Sequence, residues 1–187
     1  MSPDGIGPLL IGEPVPDEPK AQAVAVWDAK KCYRSSATAK VGDPAVGGWT
    51  ANYPLVSVGA FSSPGFSVYT VGDVEDGDIH SLWVESPKLT TAEGISIGST
   101  LAEVRAAYPS PDHVITSNRY ADLYVLDGTV GRMTIEVAKK NTAGLWTADQ
   151  VGTVRVIHLQ PKTEAAFGAS GDSDGLGICS ETPGFAE

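Results

Sequence analysis

One element of this chain occurs twice. Near the start, Ser2-Pro3-Asp4-Gly5-Ile6 is followed by Leu10-Ile11-Gly12. At the midpoint, Thr91-Ala92-Glu93-Gly94-Ile95 is followed by Ile97-Gly98. Both read hydroxyl, any residue, acid, glycine, isoleucine, then an apolar residue and a second glycine. The ends of the halves echo as well. GDIHSLWV at 77–84 matches GTVRVIHL at 152–159, each a glycine followed by a largely alternating pattern that suits a strand. Self-similarity of this kind restricts the fold to two copies of one supersecondary unit, about 1–89 and 90–187.

The second half reads more clearly. Ser99 or Thr100 can cap a helix, and Glu103 stands three residues after Thr100, the capping-box spacing. Leu101, Val104 and Tyr108 then share a helical face, and Pro109 and Pro111 stop it. Strands are expected at 114–116, 121–126, 133–137 and 153–160, with Asp127-Gly128 as a hairpin turn. A polar loop at 141–150 carries Trp146. In the first half, Pro14, Pro16 and Pro19 allow at most a short helix. Strands are expected at 23–27, 55–61, 66–71 and 79–84, with loops at Gly47-Gly48 and 62–65. The expectation is an α+β fold of two tandem similar units, each a short helix followed by an antiparallel β-meander.

The element G-I-x-I-G-x-[ST]-x-x-E-V, at 94–104, followed by a helix and strands and repeated in tandem, resembles the repeat of the beta-lactamase-inhibitory-protein and BamE/SmpA type. The likeness is close over 94–108 and in outline elsewhere. The first copy departs from it by its prolines. The placement of one cysteine in each half departs from the local disulfides of the inhibitor family. What the resemblance implies is an exported bacterial interaction protein without catalytic activity, such as an actinobacterial envelope lipoprotein. It carries over no binding residue.

Composition agrees with a folded, exported chain. Of 187 residues, 42% are hydrophobic and 19% charged, which excludes a disordered polyelectrolyte. The net charge of −10 repels a polyanion, so nucleic acid is not an expected partner. No apolar run approaches the ~20 residues of a membrane-spanning helix. Met1 leads directly into Ser-Pro-Asp-Gly, so export would rest on a signal already removed. The two cysteines, Cys32 and Cys179, are too far apart for a CxxC motif. A single disulfide between them is expected, holding the Gly- and Ser-rich tail onto the first half. In the chain-entropy model so large a loop is worth roughly 5 kcal/mol at most.

Four patterns invite chemistry. GISIG matches G-x-S-x-G, the elbow of serine hydrolases, and would make Ser96 a nucleophile. An elbow, however, needs a strand, a strained turn and a helix directly behind it. Ile-Ser-Ile alternation instead turns Ile95 and Ile97 inward and Ser96 outward. His80, His113 and His158 show no HxH or HxxxH spacing, so no metal site is expected and the histidines read as strand residues. Acidic runs at 73–78 and 172–175 surround glycines but do not fit a calcium loop, and read as solvated turns. Trp49 and Tyr53 in GGWTANY, and Trp146 in AGLWTAD, stand in loop-like segments. Such aromatics anchor protein partners or stack on sugars, or else fold back over a sheet edge.

The sequence therefore leads to an extracytoplasmic, monomeric, non-enzymatic module without cofactor. Its sheet face and the residues Trp49, Tyr53 and Trp146 would recognise a protein of the cell envelope. The alternatives are a serine hydrolase using Ser96 and a cell-wall glycan-binding module.

Overall fold

A computed structural model describes residues 1–29, 33–34, 47–52, 66–70, 75–84, 86–116, 118–140, 145–168 and 179–180. In chain order the elements are β1 (Gly5–Ile6), β2 (Leu9–Leu10), α1 (Pro19–Gln22), β3 (Ala25–Asp28), β4 (Tyr33–Arg34), β5 (Gly48–Ala51), β6 (Phe66–Thr70) and β7 (Ile79–Val84). These are followed by α2 (Leu101–Ala107), β8 (His113–Ile115), β9 (Ala121–Asp127), β10 (Gly131–Ala138), β11 (Val154–Pro161) and β12 (Cys179–Ser180). The class is α+β, with antiparallel sheets in meander-like order, as expected. The strand expected at 55–61 lies outside the described residues.

The main sheet has six strands in the order β6-β7-β11-β10-β9-β8. Strands β8 to β11 form a meander, and β11 at its end pairs with β7. Their register pairs Ile157 with Val84, His158 with Trp83 and Leu159 with Leu82. One face of this sheet is apolar because the strands alternate. Ile79, Leu82 and Val84 join Met133, Ile135, Val137, Val154, Ile157 and Leu159 in one buried cluster. Ile6, Leu9, Ile11, Ile95, Ile97 and Val104 close over them. Burying each such side chain stabilises by about 1.5–3 kcal/mol.

α2 begins where its capping box predicts. Thr100 Oγ1 accepts from the Glu103 amide at 3.3 Å, and Glu103 Oε2 accepts from the Thr100 amide at 2.6 Å. α1 is a single turn opened by Pro19, with no side-chain cap. The prolines leave room for nothing longer.

The two halves repeat one set of backbone hydrogen bonds. Gly12 donates to Ile79 O at 2.8 Å, and Ile79 donates to Glu13 O at 2.8 Å. Gly98 donates to Val154 O at 2.9 Å, and Val154 donates to Ser99 O at 2.8 Å. Isolated bridges Pro14–Asp78 and Thr100–Thr153 extend the same correspondence by one residue on the strand side. Gly12 and Gly98 both have left-handed backbones, φ 83° and 93°, which only glycine adopts without strain. The paired glycine motifs thus hydrogen-bond to the first residues of β7 and β11.

Three expectations change. The first copy of the motif forms a hairpin, β1–β2, which the sequence pattern did not announce. GGWTANY is not simply a loop, because Gly48–Ala51 is a strand paired with β3. The Cys32–Cys179 disulfide does not stand, since no disulfide is present among the described residues. The register of β12 on β4 sets Cys179 opposite Arg34 and Ser180 opposite Tyr33. Cys32 itself lies outside the described residues.

Candidate interaction surface

The β9–β10 turn is held from several sides. The Asp4 carboxylate accepts backbone N–H bonds from Thr129, Val130 and Gly131, at 3.1, 2.8 and 2.8 Å. A side chain at Gly128 or Gly131 would collide with Asp4 or Pro3, so both glycines are required by this close approach. Burial opposes ionisation of Asp4. The three backbone donors and nearby Lys162 outweigh it and hold the carboxyl below its ordinary range. Arg132 grips Asp127 with two bonds, 2.6 and 2.9 Å, which lowers the Asp127 carboxyl and raises the guanidinium. Asp112 Oδ2 accepts from the Asp127 amide at 2.7 Å, and Lys162 Nζ donates to Gly128 O at 3.1 Å.

Three large hydrophobics among the described residues are exposed. They are Leu10, Val114 and Val130, at 44%, 46% and 54% exposure. Val130 is in the turn. Leu10 stands across β1 from Gly5, the residue after Asp4. Val114 pairs with Tyr124, three residues before Asp127 and so roughly 10 Å along the strand. Exposed apolar groups on a braced backbone lose little entropy on binding, which is what a docking surface requires.

The residues singled out from sequence lie elsewhere. Trp146 is buried, its indole N–H donates to Tyr120 O at 2.8 Å, and the Arg155 guanidinium lies over its ring at 5.9 Å. It is folded back rather than presented. Trp49 is the cross-strand partner of Trp27, and their rings meet edge to face at 5.6 Å. It packs half-buried against the core. Tyr53 lies outside the described residues, as do Asp73 and the acidic run at 172–175. Cross-strand aromatic pairing and a backbone acceptor consumed the anchors that a loop would have offered.

Ser96 sits as the alternation predicts, between Ile95 and Ile97, each 3% exposed. Its hydroxyl donates to Ile97 O at 3.4 Å, and its amide donates to Ser99 Oγ. The helix begins only at Leu101, so the strand-turn-helix of an elbow is not formed. His80 Nε2 and Glu164 Oε1 are 2.9 Å apart at the surface, and His113 is exposed on β8. His158 is buried between the Trp83 and Phe167 rings, with centroids at 4.3 and 4.8 Å. Burial, with the nearby charge of His80, pushes its pKa down to about 3. No cluster of three or more metal-binding side chains occurs among the described residues, and none of their helices is long and apolar enough to cross a membrane.

The second face of the sheet is closed as well. Thr134, Glu136, His158 and Gln160 are at most 1% exposed, beneath the segment 163–168. That strap is tied down by Arg132 to Glu164 O at 2.7 Å and by Gln160 Nε2 to Ala165 O at 3.1 Å. Phe167 packs on Trp83 and Val156. The expected open sheet face is therefore not available among these strands. No family model matches the chain, and no curated protein or solved structure matches it either.

Proposed function

We propose that the protein is a non-catalytic binding module of the cell envelope or secreted space, and that it recognises a protein partner around the β9–β10 turn. The observation that carries this reading is the exposure of Val130 on a turn braced by Asp4, Asp112 and Arg132, with Leu10 and Val114 the other exposed large hydrophobics among the described residues. Recognition would be by surface complementarity, with apolar contacts at the centre and Asp112 and Asp127 at the rim. The net charge of −10 favours a partner with a basic rim.

Two tandem units, 1–89 and 90–187, are the finer architecture we propose, and the repeated hydrogen bonds at Gly12 and Gly98 support it. The resemblance to the beta-lactamase-inhibitory-protein and BamE/SmpA repeat supports the same reading and the extracytoplasmic location.

A photo-reactive amino acid placed at Val130, at Leu10 and at Lys140, exposed just past the other end of β10, tests the surface in the native host. One discrete adduct at Val130 and Leu10, absent at Lys140, is the expected result. Equal labelling at all three positions, or none, would refute the surface. Ester hydrolysis lost on Ser96→Ala would return the hydrolase reading.

A further inference from the structure

Three buried polar atoms beneath the strap have no hydrogen bond to any protein group. They are Thr134 Oγ1, His158 Nδ1 and Gln160 Oε1. Thr134 and His158 are direct cross-strand partners on β10 and β11. Gln160 follows His158 by two residues, so it shares that face, with its Cα diagonal to Thr134 at roughly 7–8 Å. The Gln160 amide nitrogen is engaged by Ala165 O, so its oxygen is the free end. Each such atom alone destabilises a fold. Three adjacent ones describe a site for something that both donates and accepts.

We propose that Thr134, His158 and Gln160 together hold one buried water molecule between the sheet and the 163–168 strap. The water donates to Gln160 Oε1 and accepts from the Thr134 hydroxyl. Its third bond is to His158 Nδ1, as donor or acceptor according to the imidazole tautomer. Three polar partners are the usual complement of an internal water. The donor set argues against a metal ion, because a hydroxyl, an amide oxygen and one imidazole bring no compensating negative charge. Size argues against a larger ligand, since the strap and the Trp83 and Phe167 rings leave these atoms no access to solvent. The water joins β10 and β11, the two central strands of the six-stranded sheet, on the face opposite the apolar core, where side chains alone leave the polar groups unmet.

Oxygen-17 relaxation dispersion on the whole protein counts waters that stay longer than tumbling. The wild type is compared with Thr134→Val and Gln160→Met. Loss of one long-lived water in each variant is expected, and an unchanged amplitude in both would overturn the proposal. Should the variants fail to fold, a high-resolution crystal structure of the wild type decides. An ordered water within hydrogen-bond distance of all three atoms supports the site. Direct bonding of Thr134 Oγ1 to His158 Nδ1, with no water between, refutes it.

Discussion

One imidazole, His158, and one carboxyl, Asp4, contribute in different pH windows to the acid behaviour of this protein. His158 has its folded pKa depressed to about 3, by burial first and by His80 second. The unfolded chain, with an ordinary histidine near 6.5, then binds more protons than the folded one across the interval between those values. Stability must therefore fall as pH drops from about 6.5 toward 3, by up to about 1.4 kcal/mol per pH unit from this residue. Urea titrations at stepped pH should show the slope, and His158→Phe should flatten it. Asp4 acts in a lower window. Its folded pKa lies below its unfolded value, so its contribution is complete above about pH 4 and is lost as pH falls through the folded value. Asp4→Ala should cost about 1 kcal/mol at neutral pH, after allowing for solvent screening, and that difference should shrink in acid. Neither role could be read from the sequence. Asp4 belongs visibly to a repeated motif, but its partners are more than a hundred positions away. His158 follows the alternation of its strand, yet a surface position and a sealed one look alike until the strap is placed.

Elements were legible in proportion to how local their causes are. α2 was readable to within a residue, because Thr100 and Glu103 satisfy the first-turn donors between themselves. Thr100→Ala should cost about 1 kcal/mol in chemical denaturation and loosen amide protection in the first turn. β9, β10 and β11 were readable from alternation and from Asp127-Gly128. The left-handed glycine at the motif's end is equally local. Gly98→Ala should cost roughly 1 kcal/mol or more by forcing a side chain into that conformation, and the melting temperature measures it. β5 was read as a loop because two glycines, Gly47 and Gly48, lead into Trp49. Only its pairing with β3, through the Trp27–Trp49 contact, makes it a strand. The β1–β2 hairpin is two residues a side and turns at Gly7, too short to generate a periodic signal.

Across the whole molecule, the seam between β7 and β11 decides how the halves behave. Leu82 and Ile157 are fully buried on either side of it, in a core cluster with residues from both sides of the seam. Ile157→Ala should cost about 3 kcal/mol and lower the stability of both halves together. Circular dichroism and tryptophan fluorescence should then report one coincident unfolding transition, and two separated transitions would contradict a shared core. By itself the sequence determined the class, the repeated glycine motif, the capped helix and which side of each long strand is apolar. Those follow from interactions spanning a few residues, where spacing is the cause. Tertiary structure alone decided that β6 and β7 join the β8–β11 meander in one sheet, that a strap seals Thr134, His158 and Gln160, and that Trp146 is spent on Tyr120. It also left Leu10, Val114 and Val130 as the exposed large hydrophobics among the described residues. Burial is a property of what arrives from distant parts of the chain, and no local pattern encodes that arrival.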